Sequence, residues 1–196
     1  MSGLRNLLGN LRRSKAASED FLLEERKPRY IAVIMDGNGR WAARRHLPAI
    51  AGHREGSRAL KRTIKAACRA GVKELTVYAF STENWQRPET EVSALMEMLT
   101  ELIDKEVPEL NEQEVQVRFI GRRAELSGEL IDNMEWAEKL TSDNSGMTLF
   151  VAFNYGGRAE IFDAVAAAAA NGKADGDEAD FPKYLSAPEM PDPELL

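Results

Sequence analysis

Apolar and polar positions change their spacing several times along this chain. Residues 30–35 (YIAVIM) are a continuous apolar run, the pattern of a short strand buried on both faces. A Gly-rich loop follows, and helical spacing then holds from about His53 to Ala70, where Gly71 stops it. Leu75–Phe80 (LTVYAF) predicts a second strand. Pro88 opens a helix in which Val92, Leu95, Met96, Leu99, Leu102 and Ile103 form one stripe up to Pro108. Val115–Ile120 alternates as a third strand and ends at Gly121, with a helix around Leu126–Leu140 after it. Met147–Phe153 is a fourth strand, and Ala159–Ala170 is a helix that Asn171-Gly172 ends. Strand–helix alternation of this kind predicts an α/β fold with an open, mostly parallel sheet flanked by helices. Such folds bind ligands beyond the carboxyl ends of their strands.

Residues 1–28 stand apart from this body, which runs from 29 to 196. Leu4, Leu7, Leu8 and Leu11 fall on one helical stripe, with Arg5, Arg12 and Arg13 nearby. A helix lying on a membrane surface and an extension whose leucines dock on the body both fit that pattern. Residues 171–194 are acidic and carry Pro and Gly, the composition of a connecting segment. Over 196 residues the net charge is −6, but residues 1–29 carry +3, which leaves −9 on the rest. An acidic body argues against nucleic acid as a partner, because phosphate contacts want basic surface. The single cysteine, Cys68, cannot form an internal disulfide and sits at an apolar helical position. No run approaches the ~18 apolar residues of a membrane span. The chain therefore reads as cytoplasmic, with peripheral contact at the inner face of the membrane open through the basic leader.

Two loops concentrate chemistry. Met35-Asp36-Gly37-Asn38-Gly39-Arg40-Trp41 follows the first strand directly. Its glycines let backbone amides approach a ligand, the next helical turn aims its positive end at an anion, and Arg40 adds a planar fork suited to phosphate. Asp36 stands where a strand-end carboxylate can hold Mg²⁺. A Gly-rich turn with a capping Asp explains the same residues without a ligand. Ser81-Thr82-Glu83-Asn84-Trp85-Gln86-Arg87-Pro88 ends the second strand, with hydroxyls, a carboxylate, an amide, an indole and a guanidinium in one loop. A simple cap over a satisfied tryptophan would not need so many polar types. Two such loops at equivalent strand ends describe a pocket for a phosphorylated ligand with an apolar portion, walled in part by the Val92–Ile103 stripe. His46 reads as solvent-exposed, and His53, taken alone, as a helix-start capping residue.

Four segments then occur in order: MDGNGRWA, AGHREG, YAFSTENWQRP and FNYGGRAEI. In these the chain resembles the cis-prenyltransferases, the bacterial isoprenyl transferases that include undecaprenyl diphosphate synthase. The resemblance runs from about Tyr30 to the C-terminus. It implies an enzyme that condenses isopentenyl diphosphate with an allylic diphosphate such as farnesyl diphosphate, with Mg²⁺ assisting departure of the allylic diphosphate. By position it makes Asp36 the catalytic, magnesium-binding residue. Gly37, Asn38, Gly39 and Arg40 match the diphosphate loop, and Trp41 a substrate contact beside it. His53 matches a contact to the allylic substrate, and Ser81, Thr82 and Glu83 further substrate-binding positions. Asn84 matches the proposed proton acceptor, with Trp85 and Arg87 as substrate contacts, while Asn154–Arg158 is expected to be structural or to line the pocket. Ala79 would leave room for a growing chain, and a homodimer is implied.

The chain departs from that family twice. Leu47-Pro48-Ala49 has alanine where the family usually has an arginine that helps hold the allylic diphosphate. Losing such a charge-assisted contact costs ~1.5–3 kcal/mol, and Arg44 or Arg45 would be the nearby substitutes. The family also continues beyond Pro193-Glu194-Leu195-Leu196, where a strand begins, into an arginine- and serine-rich segment that binds isopentenyl diphosphate. The domain over 29–196 is thus expected to be incomplete at its C-terminus. These departures keep an alternative open: a non-catalytic, prenyltransferase-like subunit that stabilises a partner.

Overall fold

The structure, a computed structural model, describes residues 27–172 and 177–196. The leucine stripe at Leu4–Leu11 lies outside the described residues. All four expected strands form: β1 (Tyr30–Ile34), β2 (Glu74–Ser81), β3 (Gln116–Ile120) and β4 (Thr148–Tyr155). They pair in parallel in the order β1-β2-β4-β3. Around them lie helices α1 (Asn38–Ala43), α2 (Ala49–Ala70), α3 (Glu89–Glu112), α4 (Gly128–Leu140) and α5 (Gly157–Ala170). Short 3₁₀ segments occupy Thr82–Gln86 and Glu178–Tyr184.

Two helix boundaries differ from the sequence expectation. α2 begins at Ala49, because Pro48 is extended (φ −63°, ψ 150°) and releases the chain into the helix directly after it. His53 is therefore inside the helix rather than capping its start. α3 runs through Pro108 to Glu112. The proline removes one helical donor, yet Ile103 and Val107 are buried in the turn before it, and that packing carries the helix past the break.

Side chains alternate between the two faces of the sheet. Leu75, Val77, Val117, Leu149 and Phe153 point to the face that α2, α3 and α4 cover, meeting Ile64, Leu95, Ile103 and Leu130. The opposite face carries Thr76, Tyr78, Phe150 and Ala152 under Ala187 and Met190. It is more polar: the Tyr30 and Thr76 hydroxyls share a hydrogen bond at 2.7 Å, and Tyr78 donates to the Tyr155 carbonyl at 3.0 Å.

The two sheet edges are treated differently. On β3, the outward N–H groups of Val117 and Phe119 donate to Thr141 Oγ1 (2.9 Å) and Glu138 Oε1 (2.8 Å), side chains at the end of α4. On β1, Leu195 makes a parallel bridge with Ile31, the Ala32 N–H donating to the Leu195 carbonyl at 2.8 Å. The strand start expected near Pro193–Leu196 is thus a pairing on the β1 edge. Among the described residues no helix is long and apolar enough to cross a membrane.

Candidate active site

The carboxyl ends of β1 and β2 open on the same side of the sheet, and each hands the chain to one of the polar loops. After β1, Gly37 adopts φ 87°, a left-handed turn that glycine makes without strain, and it starts α1. The first amides of that helix have no acceptor within it. Asn38, the first residue of α1, lies hard against α2: a Cβ on Gly52 would fall 2.0 Å from the Asn38 carbonyl oxygen. One on Gly56 would fall 2.7 Å from the Asn38 side chain. The glycines of the AGHREG segment therefore seat the diphosphate-type loop on α2. That role is invisible in one sequence, because the partner lies in another segment.

Asp36 and Arg40 face each other across the first turn of α1, Nη2 to Oδ2 at 2.7 Å, with side chains 77% and 71% exposed. The guanidinium, and then the Gly37 N–H, hold the Asp36 carboxyl below the usual carboxylate range. Trp41 carries the Arg45 guanidinium 4.2 Å above its ring, so Arg45 is tied beside the loop that Ala49 follows. Arg44 and His46 are exposed.

After β2 the backbone is irregular. The pairing of β2 with β4 shifts between Tyr78 and Phe80, leaving Ala79 in a bulge, and shifts again before Ser81. Opposite, Asn154 is buried with φ 50°. Bulges of this kind re-aim side chains at the end of a strand. Asn154 accepts from the Trp85 indole N–H (2.8 Å) and donates to the Arg122 carbonyl (3.0 Å) and Glu125 (2.7 Å). Trp85 also packs edge-on to Phe80, ring centres 5.3 Å apart. Asn84 Oδ1 accepts the Ser81 N–H at 3.1 Å, and the Ser81 hydroxyl donates to Glu83 at 2.6 Å. That bond, first, holds the Glu83 carboxyl below its ordinary value. Thr82 approaches Gly156 so closely that a Cβ there would meet its Oγ1 at 2.4 Å.

His53 reaches from α2 toward Glu91 on α3, Nε2 to Oε1 at 3.7 Å, and Arg87 Nη1 meets the same carboxylate at 2.9 Å. Burial, then the Arg87 charge, push the His53 pKa down, against the pull of Glu91. Its Nε2 is buried without a hydrogen-bond partner. Glu91 thus joins the site, a residue whose place in an acidic helix start conceals it in the sequence.

Behind this mouth lies a cavity of ≈ 360 Å³ between the sheet and helices α2 and α3. Asp36, Asn38, His53, Ser81, Asn84 and Arg87 line it at the strand ends, and Ala79 with the α3 stripe lines its interior. Gly37, Gly39, Arg40, Trp41, Thr82, Glu83 and Trp85 belong to the same two loops but do not line the cavity. Among the described residues no three His, Cys, Asp or Glu side chains gather into a metal-binding group. A single exposed carboxylate at a phosphate-type loop suits Mg²⁺, which takes one or two carboxylates and completes its shell with phosphate oxygens and water. The arrangement sets charged and polar groups at the strand ends of an α/β fold and an apolar space behind them, between sheet and helices.

A prenyltransferase family model, described for undecaprenyl diphosphate synthase, matches residues 34–196. The isoprenyl transferase of Bacillus subtilis is 45% identical over 97% of this chain and 78% of its own length. A farnesyl-diphosphate-specific ditrans,polycis-undecaprenyl-diphosphate synthase of Xanthomonas axonopodis pv. citri is 46% identical over 86% of this chain and 68% of its own. Lavandulyl diphosphate synthase from Lavandula x intermedia, solved with dimethylallyl diphosphate, superposes with a TM-score of 0.80 at 34% identity, covering 86% of this chain and 76% of that one. The chain belongs to the undecaprenyl diphosphate synthase family of prenyltransferases, and it is a prenyl-transferring enzyme.

Proposed function

We propose that this enzyme condenses isopentenyl diphosphate with a farnesyl-type allylic diphosphate and builds a cis-polyprenyl diphosphate. The observation that carries the reading is the apolar cavity whose mouth gathers Asp36, Asn38, His53, Ser81, Asn84 and Arg87 at two strand ends. Two relatives are named for farnesyl-diphosphate-specific synthesis and for binding dimethylallyl diphosphate, both allylic chemistries.

In the reaction the allylic carbon–oxygen bond breaks, a carbon–carbon bond forms to the isopentenyl unit, and that unit loses a proton. Negative charge builds on the departing diphosphate, so donors fixed there lower the barrier. Arg40 and the first amides of α1 are the donors at hand. Arg40 donates Nη2 to Asp36 at 2.7 Å; a diphosphate would offer the guanidinium a second acceptor and leave Asp36 to face a cation. Asp36 would hold Mg²⁺, which when bound supplies charge neutralisation to the leaving diphosphate. Arg87, steadied by Glu91, adds positive charge beside His53. The cavity takes the hydrocarbon and keeps water from the reacting carbons. Asn84 is a weak base, and with its Oδ1 already accepting the Ser81 N–H it serves best to hold the loop in place. The lost proton then goes to a diphosphate oxygen. Retention of Asp36, Arg40, Asn84 and Arg87 weighs against a purely non-catalytic subunit.

Incubation with farnesyl diphosphate, labelled isopentenyl diphosphate and Mg²⁺ tests the reading, with this chain and with one extended to the length of its relatives. Polyprenyl products are expected, and Asp36→Asn should cut turnover at least about a hundredfold with an unchanged circular dichroism spectrum. An extended chain that makes no product, or an Asp36→Asn variant as active as wild type, would overturn it.

A further inference from the structure

Beside the mouth of the cavity, the ends of β2, β3 and β4 meet at one buried amide. Phe80 pairs with Phe153 and Ser81 with Tyr155, so Asn154 falls opposite no residue of β2, just as Ala79 falls opposite none of β4. The two bulges offset each other, and the strands leave the sheet in step. Asn154 is 1% exposed and holds φ 50°, a left-handed backbone that asparagine adopts more readily than most side chains. Its carbonyl accepts the Arg122 N–H at 3.1 Å, and its Nδ2 returns a bond to the Arg122 carbonyl at 3.0 Å. Arg122 is itself pinned by a two-bond grip on Asp163 of α5, at 2.8 and 2.7 Å. The second Nδ2 hydrogen goes to Glu125 Oε2 at 2.7 Å, which leaves Oδ1 for the Trp85 indole N–H at 2.8 Å. An indole N–H only donates, and a carbonyl and a carboxylate only accept, so the amide fits these three partners in one orientation.

Trp85 follows Asn84 directly and stands two residues before Arg87; both of those line the cavity mouth, while Trp85 does not. Within the loop, Asn84 Oδ1 accepts the Ser81 N–H and the Arg87 N–H donates to the Asn84 carbonyl, each at 3.1 Å. Bonds of that kind fix the loop's shape but not its place on the sheet. Its place depends on contacts to other segments, such as the Trp85 indole's bond to Asn154 and its edge-on packing against Phe80. Without its acceptor the indole N–H would be an unpaired donor beside the stacked rings of Phe80 and Phe153, a cost that turning outward relieves. Asn84 and Arg87 would move with it, and a misplacement of about 1 Å is enough to slow a reaction severely.

We propose that Asn154 is a positioning residue for prenyl transfer: its Oδ1 holds the Trp85 indole and thereby keeps Asn84 and Arg87 in register with the Asp36–Arg40 loop. Asn154 does not line the cavity and acts through Trp85. The two loops end different strands, so an anchor shared with β3 and β4 makes their spacing a property of the sheet. The inference rests on the cavity mouth being the site of condensation.

Steady-state kinetics with farnesyl and isopentenyl diphosphates, run well below each variant's melting temperature, test it in a double-mutant cycle. Asn154→Gly leaves the backbone free to hold its positive φ and removes all three side-chain bonds. Trp85→Phe removes the indole N–H and keeps a ring against Phe80. Each should lower kcat at least about tenfold with KM for farnesyl diphosphate changed less than about threefold, because the Asp36–Arg40 loop is untouched. The double variant should be no slower than the slower single one, since both remove the same bond. Asn154→Asp keeps an acceptor for the indole, and a proton shared with Glu125 takes the place of the lost donor. Its kcat should lie at least about fivefold above that of Asn154→Gly. Additive losses, a loss carried in KM, or no recovery in Asn154→Asp overturns the role of Asn154 alone. So does a Trp85→Phe enzyme with the wild-type kcat, whether or not Asn154→Gly folds. A wild type that makes no product overturns the condensation reading and the positioning role together.

Discussion

His53 is held between helices where burial and a neighbouring guanidinium oppose its charge. Its pKa is lowered from 6.5, first by desolvation and then by Arg87, with Glu91 pulling the other way. An unfolded chain takes up the proton near 6.5, while the folded chain resists it. The resulting stability is present above that pH and is lost as pH falls through the lower, folded value. In denaturant titrations between about pH 7 and about pH 5, wild type should lose stability more steeply than His53→Asn. Equal slopes would show that the imidazole is not buried as described. Asn154 is the other residue on which the site leans. The three hydrogen bonds of its side chain join Trp85, Arg122 and Glu125 across the end of the sheet. The sequence motif marked it as structural or pocket-lining, and its contacts are those of a structural residue.

At the scale of elements, the seat of α1 on α2 decides where Asp36 and Arg40 stand. Alanine is favoured over glycine inside a helix by ~1 kcal/mol, so propensity alone predicts that Gly52→Ala stabilises α2. The 2.0 Å approach of the Asn38 carbonyl reverses that. Gly52→Ala should cost ~1–3 kcal/mol of stability and weaken farnesyl diphosphate binding. Gly128→Ala, where nothing lies within 4 Å, should be neutral or stabilising in the same assays. A Gly52→Ala protein that binds as wild type does would remove the seat from the account. The strands and helices themselves were legible, because each carries its own period of apolar residues. What was not legible depends on pairs far apart in the chain. The bulge at Ala79 answers to β4, and Glu91 to α2. Pro108 misled for the same reason, since packing against the sheet, absent from local pattern, carries α3 beyond it.

Across the whole molecule, apolar surface is unevenly distributed. α5 is apolar almost all round yet buries fully only Ala164, leaving Phe162 70% exposed with Ile161 and Val165 beside it. Exposed apolar residues so placed favour self-association, and Phe162→Ser should lower the concentration-dependent light scattering of this chain. Identical scattering would place the sticky surface elsewhere.

The unequal edges of the sheet have a consequence for how copies of the chain can combine. Unpaired strand edges are templates for further strands, and open-ended stacking needs two of them on every subunit, as any filament needs two unlike faces. Here Thr141 and Glu138 occupy the outward amides of β3, which seals that side. On the β1 side the chain's own Glu194 and Leu195 pair with Tyr30 and Ala32, so that edge too is taken along its first residues. A strand from a second copy therefore meets no fully open edge among the described residues, and the fold works against edge-to-edge fibre growth.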